Sequence, residues 1–328
     1  MKPQPTNHHR GAYQDRAGVP DKRRRFQRAE GVTRDLTPDD LDLFLLLDQV
    51  RLADSRQLKL YLAPNGNHRA FLRRLATLYH AGYLDRPKNQ LGRRFLDTGG
   101  ARFYVYALAE RGARKLLSLE GAGRADVLTT LTRNNERIQA RAIDHRIAVT
   151  ESVLTFAAAA DQLKATLDHY EGEALRAAFP KLPPKVTITD GEHRHKVPLY
   201  PDTLFVFTKG NERARFFFLE ADRGTEPVRA GDWQRTSIRR KLTAYATLYL
   251  DAADQAAGIP AFRVLTITTT PDRRDTMRAV ARELQPPKVR GLFLFTTADQ
   301  VTLDNPTAAL TKPIWYEPRD DSGAVALL

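Results

Sequence analysis

The chain of 328 residues contains no cysteine and only two methionines and two tryptophans. The lack of cysteine excludes disulfides, zinc ribbons and thiol catalysis. No stretch approaches the roughly 20 apolar residues that a bilayer-spanning helix needs, and the N-terminus lacks the apolar core of a signal peptide. Phosphate-binding loops of the GxxxxGK[ST] type and dinucleotide fingerprints are also absent. We therefore expect a cytoplasmic protein that has no membrane partner and no nucleotide cofactor.

What the chain has in excess is positive charge, with a formal net charge of +13. Residues 1–150 hold 28 Lys and Arg against 16 Asp and Glu, whereas residues 151–328 hold 24 against 23. Neutralising phosphates releases counterions, so we predict that the N-terminal half binds double-stranded DNA in a strongly salt-dependent way. The alternative is a merely solvated surface, which usually mixes its signs.

Residues 1–35 contain Pro, Gly and a basic run, without apolar periodicity, which is typical of a disordered basic arm. The basic run comprises Lys22, Arg23, Arg24 and Arg25. We interpret these four residues as DNA contacts that lie along phosphates or in a minor groove, the alternative being a plain flexible tail.

A winged helix-turn-helix is predicted over residues 36–123. A capped helix begins at Thr37, a second begins at Asp54 or Ser55, a third covers residues 67–81, and a basic hairpin follows. In that motif the third helix enters the major groove, and the hairpin, or wing, reaches phosphates or the minor groove. The predicted contacts are His68, Arg69, Arg73 and Arg74 on the third helix and Arg93 and Arg94 in the wing. Each of them alone is also typical of a solvated surface charge.

A linker helix is predicted for residues 124–167, where alanine and charged residues dominate. It either bridges two domains or pairs with its copy in a homodimer. Residues 168–328 alternate strands with helices after a hairpin, which predicts a mixed sheet covered on both faces. The predicted fold class is thus a two-domain α+β/α/β protein.

Acidic residues mark the ends of two neighbouring strands in the C-terminal domain. Asp202 opens the strand PDTLFVF, and Glu220 ends the next strand in FFFLEADRG. Antiparallel pairing would bring both carboxylates to one edge of the sheet, beside the carbonyl of Ala221. Such oxygen ligands suit Mg²⁺, or alternatively Mn²⁺. A bound ion of this kind activates water and stabilises the charge on a phosphate under attack.

This strand-turn-strand resembles the PD-(D/E)xK nuclease superfamily, which implies that Asp202 and Glu220 are metal ligands in a nuclease-like domain. The third residue of that signature is a lysine two positions after the glutamate, and this chain has Asp222 there. Lys241, in RRKLTAY on the next helix, faces the same way as Tyr245 and is the candidate for the missing cation. Asp222 would assist catalysis. The alternative is a structural ion pair between Asp222 and Lys241 in a domain that has lost its chemistry.

Other side chains are secondary candidates. Three upstream acids, any of which would add a carboxylate to the metal site, are Glu151, Glu171 and Glu173. The run His193-Arg194-His195 invites comparison with the HUH relaxases, which bind metal with a histidine pair. The middle residue there is apolar and buried, whereas Arg194 is predicted to lie in a turn.

A wider resemblance covers roughly residues 36–318. The winged helix, the HRIAV run at residues 145–149, LEADRGTE followed by KLxxY, and a terminal PIWYEP are similar to the bacterial plasmid replication-relaxation family. The resemblance implies a DNA-binding protein of a plasmid or other mobile element, acting in replication, mobilisation or its control. We expect Mg²⁺-dependent nicking or cleavage by the C-terminal domain. The alternative is a non-enzymatic transcriptional regulator or replication initiator with a degenerate nuclease-like dimerisation domain.

Overall fold

The chain folds as a helical N-terminal unit joined to a mixed sheet that has helices on both faces. The computed structural model describes residues 26–92, 103–120, 134–183, 185–190, 192–231, 235–252, 259, 261–319 and 323–328. This mixed α/β architecture agrees with the coarse fold that the sequence predicts. None of the described helices combines the length and the apolar character needed to cross a membrane.

Three helices begin close to where the sequence predicts them, and the predicted caps Thr37 and Asp54 precede the first two. The three helices are α1 (Pro38–Val50), α2 (Ser55–Leu62) and α3 (His68–His80). The Asp54 carboxylate accepts the backbone N–H groups of the first turn of α2, and the Asn67 side chain does the same for α3 at 3.0 Å. After α3 the chain turns at Gly82 with a φ of +84°, a conformation that glycine adopts without strain.

A small antiparallel sheet completes the N-terminal unit. Its strands are β1 (Ala53–Asp54), β2 (Leu84–Asp85) and β3 (Val105–Leu108), in the order β1-β3-β2, and α4 (Glu110–Glu120) follows. The pairing of β2 with β3 forms the base of the predicted hairpin. The tip of that hairpin, with Arg93 and Arg94, lies outside the described residues, as do Lys22, Arg23, Arg24 and Arg25.

The predicted disordered arm is wrong for residues 26–35. Arg28 forms an ion pair with Asp85, and its guanidinium lies 4.9 Å from the centre of the Tyr79 ring. The backbone N–H of Ala29 donates to the His80 ring at 3.0 Å. The partners of this segment come from α3 and β2, more than 50 positions along the chain, so no local pattern announces them.

The linker helix is shorter than predicted. Helix α5 (Ala140–Gln162) ends where Lys164 adopts a φ of +52°, and strand β4 (Thr166–Tyr170) takes the place of its last predicted turn. The side chains of Val153 and Phe156 on α5 are buried in a core that includes both α1 and the sheet. The helix is therefore packed between the two parts of the molecule.

The main sheet contains β4 and six further strands, which are β7 (Thr203–Thr208), β8 (Arg215–Ala221), β9 (Phe262–Thr268), β10 (Phe293–Thr297), β11 (Trp315–Tyr316) and β12 (Ala324–Val325). These seven strands lie in the order β12-β11-β10-β9-β8-β7-β4. Strands β8, β9 and β10 are parallel, and the other pairs are antiparallel. The central strands are almost wholly buried, as strands covered on both faces require.

Helices cover the faces of this sheet. The remaining ones are α6 (Gly172–Ala178), α7 (Ile238–Ala252), α8 (Pro271–Arg282) and α9 (Ala308–Thr311). Alternation along β8 sends Phe217 and Leu219 into the core shared with α5, and Phe218 into the core shared with α7 and α8. A separate hairpin of β5 (Lys185–Asp190) and β6 (His193–Pro198) packs on α7. The turn predicted at Arg194 is therefore wrong, since this residue lies in a strand.

Candidate functional site

The two predicted carboxylates meet where β7 begins and β8 ends. The backbone N–H of Asp202 donates to the Leu219 carbonyl at 3.2 Å, which continues the β7–β8 ladder by one step. Oδ2 of Asp202 accepts the backbone N–H of Ala221 at 2.8 Å. Asp202 therefore lies beside Glu220 at one edge of the sheet, as the strand pattern predicts. In α/β sheets, the carboxyl ends of parallel strands such as β8 and β9 are where ligands bind.

Glu220 points from β8 to α7 and is 8% exposed. Its Oε2 atom lies 3.2 Å from Nζ of Lys241, and its Oε1 atom accepts the Tyr245 hydroxyl at 2.5 Å. Lys241 and Tyr245 are one helical turn apart and face the same way, as the sequence predicts. Burial raises the pKa of Glu220 to about 7, with Asp202 adding to the rise and Lys241 and Tyr245 opposing it.

Lys241 is shared between two carboxylates. Its Nζ atom lies 3.2 Å from Oε2 of Glu220 and 3.2 Å from Oε2 of Glu226. Burial by itself lowers the pKa of Lys241, but the two carboxylates outweigh it and hold the pKa above its usual value. Helix α7 therefore places a positive charge beside Glu220.

Asp222 lies beside this pair but is held from another helix. Arg273 of α8 donates to both of its carboxylate oxygens, at 2.6 and 2.8 Å, and the Thr268 hydroxyl donates at 2.6 Å. Although burial opposes its charge, these donors hold the pKa of Asp222 below its usual value. The predicted alternative of an Asp222–Lys241 ion pair is thus wrong, because Asp222 pairs with Arg273 and Lys241 with two glutamates.

Helix α5 adds a histidine that sequence reasoning did not assign to the site. Nε2 of His145 lies 2.9 Å from Oδ1 of Asp202, and this hydrogen bond raises the pKa of the imidazole, against the effect of burial. The residue stands in the HRIAV run that the family resemblance singles out. That run was the available signal, but nothing in it indicates that α5 crosses the sheet beside Asp202.

Of the three upstream acids, Glu171 reaches the site. It accepts Nη2 of Arg146 at 2.6 Å, and burial raises its pKa, with the charge of Asp202 contributing. Its second oxygen, Oε1, is buried and accepts no hydrogen bond from the described residues. Glu151 instead binds Arg56 and Gln57 of α2, and Glu173 is exposed.

Asp202 and Glu220 supply carboxylate oxygens, which are ligands of the kind that Mg²⁺ accepts. Within the described ranges no three His, Asp or Glu side chains are arranged to share one ion. Mg²⁺ usually takes one or two carboxylates and completes its shell with water and substrate phosphate. A carboxylate offers about four acceptor positions, so Asp202 and Glu220, which accept two and two hydrogen bonds here, retain capacity for a cation.

The predicted DNA contacts on α3 fall into two groups. His68, Arg69 and Arg73 are exposed, with Arg69 and Arg73 one turn apart on the same side of the helix. Nε of Arg74 instead lies 2.6 Å from Oδ1 of the fully buried Asp40. Arg74 therefore fastens α3 to α1 and is not available in the way that the sequence suggests.

A set of hydrogen bonds joins the N-terminal unit to α5, the helix that carries His145. Oε1 of Glu151 on α5 accepts Arg56 at 3.0 Å and the backbone N–H of Leu303 at 3.3 Å, and Oε2 accepts the Gln57 amide at 2.9 Å. Thr150 donates to the Leu52 carbonyl at 2.7 Å. These contacts link α2 of the N-terminal unit to the helix that carries His145.

The comparisons with known proteins identify one family. A family model described as replication-relaxation matches residues 44–261, more than half of the chain. The matched range begins within α1 and includes α3, His145, Asp202 and the Glu220–Lys241 pair. No curated protein and no solved structure matches the chain.

Proposed function

The chain belongs to the replication-relaxation family, and from that premise we propose that it acts on the DNA of a plasmid or other mobile element. Its task there lies in replication, mobilisation or the control of either. The N-terminal unit acts as a winged helix that binds double-stranded DNA. Support comes from the order of three helices and a hairpin, from the exposed Arg69 and Arg73 on α3, and from the positive charge of residues 1–150.

The C-terminal domain, a PD-(D/E)xK-like fold in this proposal, nicks or cleaves DNA with Mg²⁺ or Mn²⁺. The observation that carries this is the convergence of Asp202 and Glu220 on adjacent strands, with Lys241 3.2 Å from Glu220. Asp202, Glu220 and the Ala221 carbonyl would hold the ion. When bound, the ion supplies an activated water and neutralises charge on the phosphate.

The chain's own side chains do the remaining work. Lys241 is held protonated between Glu220 and Glu226, so its ammonium is a fixed positive charge for a phosphate oxygen. His145 shares a proton with Asp202, which keeps the imidazole oriented at the edge of the site. Tyr245 fixes the second oxygen of Glu220 from the interior. The side chains of the site are therefore already held in position without DNA.

A second candidate function is a non-enzymatic regulator or initiator in which this domain is a platform for dimerisation. The observation that favours it is that all four carboxylate oxygens of Asp202 and Glu220 already accept a hydrogen bond from the protein. Asp222, where the nuclease signature has a lysine, is likewise bound to Arg273. In that reading the polar network stabilises the fold and performs no chemistry.

Plasmid cleavage separates the two functions. We expect purified protein to convert supercoiled plasmid to nicked or linear forms only when Mg²⁺ or Mn²⁺ is present. Asp202→Ala should lower the rate by more than the roughly 10- to 100-fold that outer partners of metal sites cost. The matched control is Asp168→Ala, an exposed aspartate on the adjacent strand β4. Intact plasmid that still shifts on a gel at every metal concentration would support the non-enzymatic function.

A further inference from the structure

A cavity opens beside the carboxylate site, and most of its lining residues have no part in the chemistry proposed above. Its volume is about 200 Å³, and Glu220, Lys241 and Tyr245 line it together with apolar side chains from elsewhere. The apolar lining includes Val197 in β6, Leu199 directly after that strand, and Ala244 on α7. The cavity therefore combines apolar walls with the charged pair of the site.

Tyr200 stands among the lining residues of this cavity and is unusual in its exposure. Among the residues that the structure describes, only Leu119, Tyr200 and Leu328 are large hydrophobic side chains that are exposed, and Tyr200 is 61% exposed. Its neighbour Leu199 is buried, so the backbone that carries the ring is anchored in the core. Two residues later comes Asp202, which ties the position of the ring to that of the site.

The surroundings of the ring are cationic. The Arg176 guanidinium lies 5.4 Å from the centre of the Tyr200 ring, and Arg240 and Lys241 line the cavity. An exposed aromatic ring beside arginines, above an apolar recess, is how proteins bind unpaired bases and the phosphates attached to them. A fully paired base is unsuited to such a recess, because it remains stacked within the duplex.

We propose that this cavity is a base pocket, formed by Val197, Leu199, Tyr200, Arg240, Lys241 and Ala244, that takes one unpaired DNA nucleotide next to the phosphate handled at Asp202 and Glu220. The base lies against Tyr200 and the apolar walls, and its phosphate lies toward Lys241. This inference rests on the proposed function and narrows it: the substrate of the site is a melted or single-stranded junction. Duplex recognition stays with the N-terminal unit.

Binding measured without metal tests the base pocket apart from cleavage. Two duplexes of the same sequence are compared in EDTA, one fully paired and one with a single unpaired 2-aminopurine. We expect the full-length protein to bind the duplex with the unpaired 2-aminopurine more tightly and to change the fluorescence of that base. Tyr200→Ala should remove about 5- to 150-fold of that preference, the worth of one base–aromatic stack. Tyr200→Phe should retain it, because the ring remains.

The matched control is Leu119→Ala, which truncates another exposed apolar side chain on α4, outside the pocket. It should leave the ratio of the two affinities unchanged, and none of the three variants should alter binding of the fully paired duplex. Equal affinity of the wild-type protein for both duplexes, or an unchanged ratio in Tyr200→Ala, would overturn the base pocket. If the protein prefers the duplex with the unpaired base in EDTA but leaves plasmid intact in Mg²⁺, the base pocket is supported and the cleavage proposal is refuted. If it cleaves plasmid but binds both duplexes equally, the cleavage proposal is supported and the base pocket is refuted.

Discussion

Two buried carboxyl groups, Asp40 in α1 and Glu220 in β8, both have cationic partners, yet their pKa values move in opposite directions. Burial opposes the charge of both. Asp40 accepts hydrogen bonds from Arg74, from the backbone N–H of Thr37 and from Arg34, and these donors lower its pKa below the usual value. Glu220 receives a single ammonium, which Glu226 shares, and its pKa rises to about 7.

The difference lies in the number of donors and in the nearby negative charge. Asp40 has two guanidinium groups and a backbone N–H, so its charge is fully compensated and serves to hold α1 and α3 together. Glu220 has Asp202 as a close neighbour, and a second carboxylate disfavours ionisation of the first. A carboxyl group that ionises near neutral pH is typical of sites that do chemistry. The buried carboxylate of the N-terminal unit thus stabilises the fold, whereas the ionised form of Glu220 at the sheet edge is disfavoured.

The largest effect that tests this comparison is on stability. Asp40→Ala leaves Arg34 and Arg74 without their carboxylate, and we expect it to lower the free energy of unfolding by about 3 to 5 kcal/mol. The neighbouring Asp39→Ala, whose side chain is 81% exposed, is the control and should change it by no more than about 0.5 kcal/mol. Chemical denaturation of both variants measures the difference. Similar small effects for the two would mean that Asp40 is not a structural anchor.

The pH dependence of stability should differ in sign for the two groups. The pKa of Asp40 is lowered by folding, so its contribution is present above its usual pKa and is lost as the pH falls through the value in the folded state. The pKa of Glu220 is raised, so its contribution is present below its usual pKa and is lost as the pH rises toward about 7.

We therefore expect the free energy of unfolding of the wild-type protein to fall by about 1 to 3 kcal/mol between pH 5 and pH 8 because Glu220 ionises. In Glu220→Gln this decrease should be absent. Denaturation curves across that range, recorded without metal, give the difference. The exposed Glu173→Gln is the control, and its curve should parallel that of the wild type. A Glu220→Gln curve that also parallels the wild type would contradict the raised pKa.

The smallest effect concerns the surface of α3. Arg69→Ala should weaken duplex binding and reduce the slope of log affinity against log salt by about 1, the contribution of one phosphate contact. Arg74→Ala should act mainly on stability, because Arg74 binds Asp40. Titrations at several salt concentrations, set beside denaturation curves, separate the two. A loss of salt slope in Arg74→Ala with unchanged stability would reverse these assignments.

Local patterns were sufficient for much of the fold and for part of the site. The capping residue Asp54 acts within one turn, so it predicts where α2 begins. Asp202 and Glu220 meet because the two strands that carry them are joined by a short turn. The spacing of Lys241 and Tyr245 is one helical turn and needs nothing beyond α7. Each of these features depends on residues that are close in the chain.

Features that depend on contacts between distant residues could not be predicted from local patterns and are seen only in the tertiary structure. Strand β4 forms because it pairs with β7, which lies more than 30 positions further along the chain. The local pattern does not contain this partner, and it therefore predicts helix as far as residue 167. Residues 26–35 are ordered by α3 and β2. His145 reaches Asp202 from 57 positions away, and Asp222 finds Arg273 at a separation of 51.

Composition and neighbouring residues in the chain account for the positive charge of the N-terminal half, the helix caps and the two acids at one sheet edge. Which charges remain available depends on how distant segments pack against one another. This packing assigned Arg74 to Asp40, gave Arg273 to Asp222 and left Arg69 and Arg73 on the surface. The physical reason is that a buried charge must be paired, and the partner is whichever opposite charge packing brings within a few ångströms.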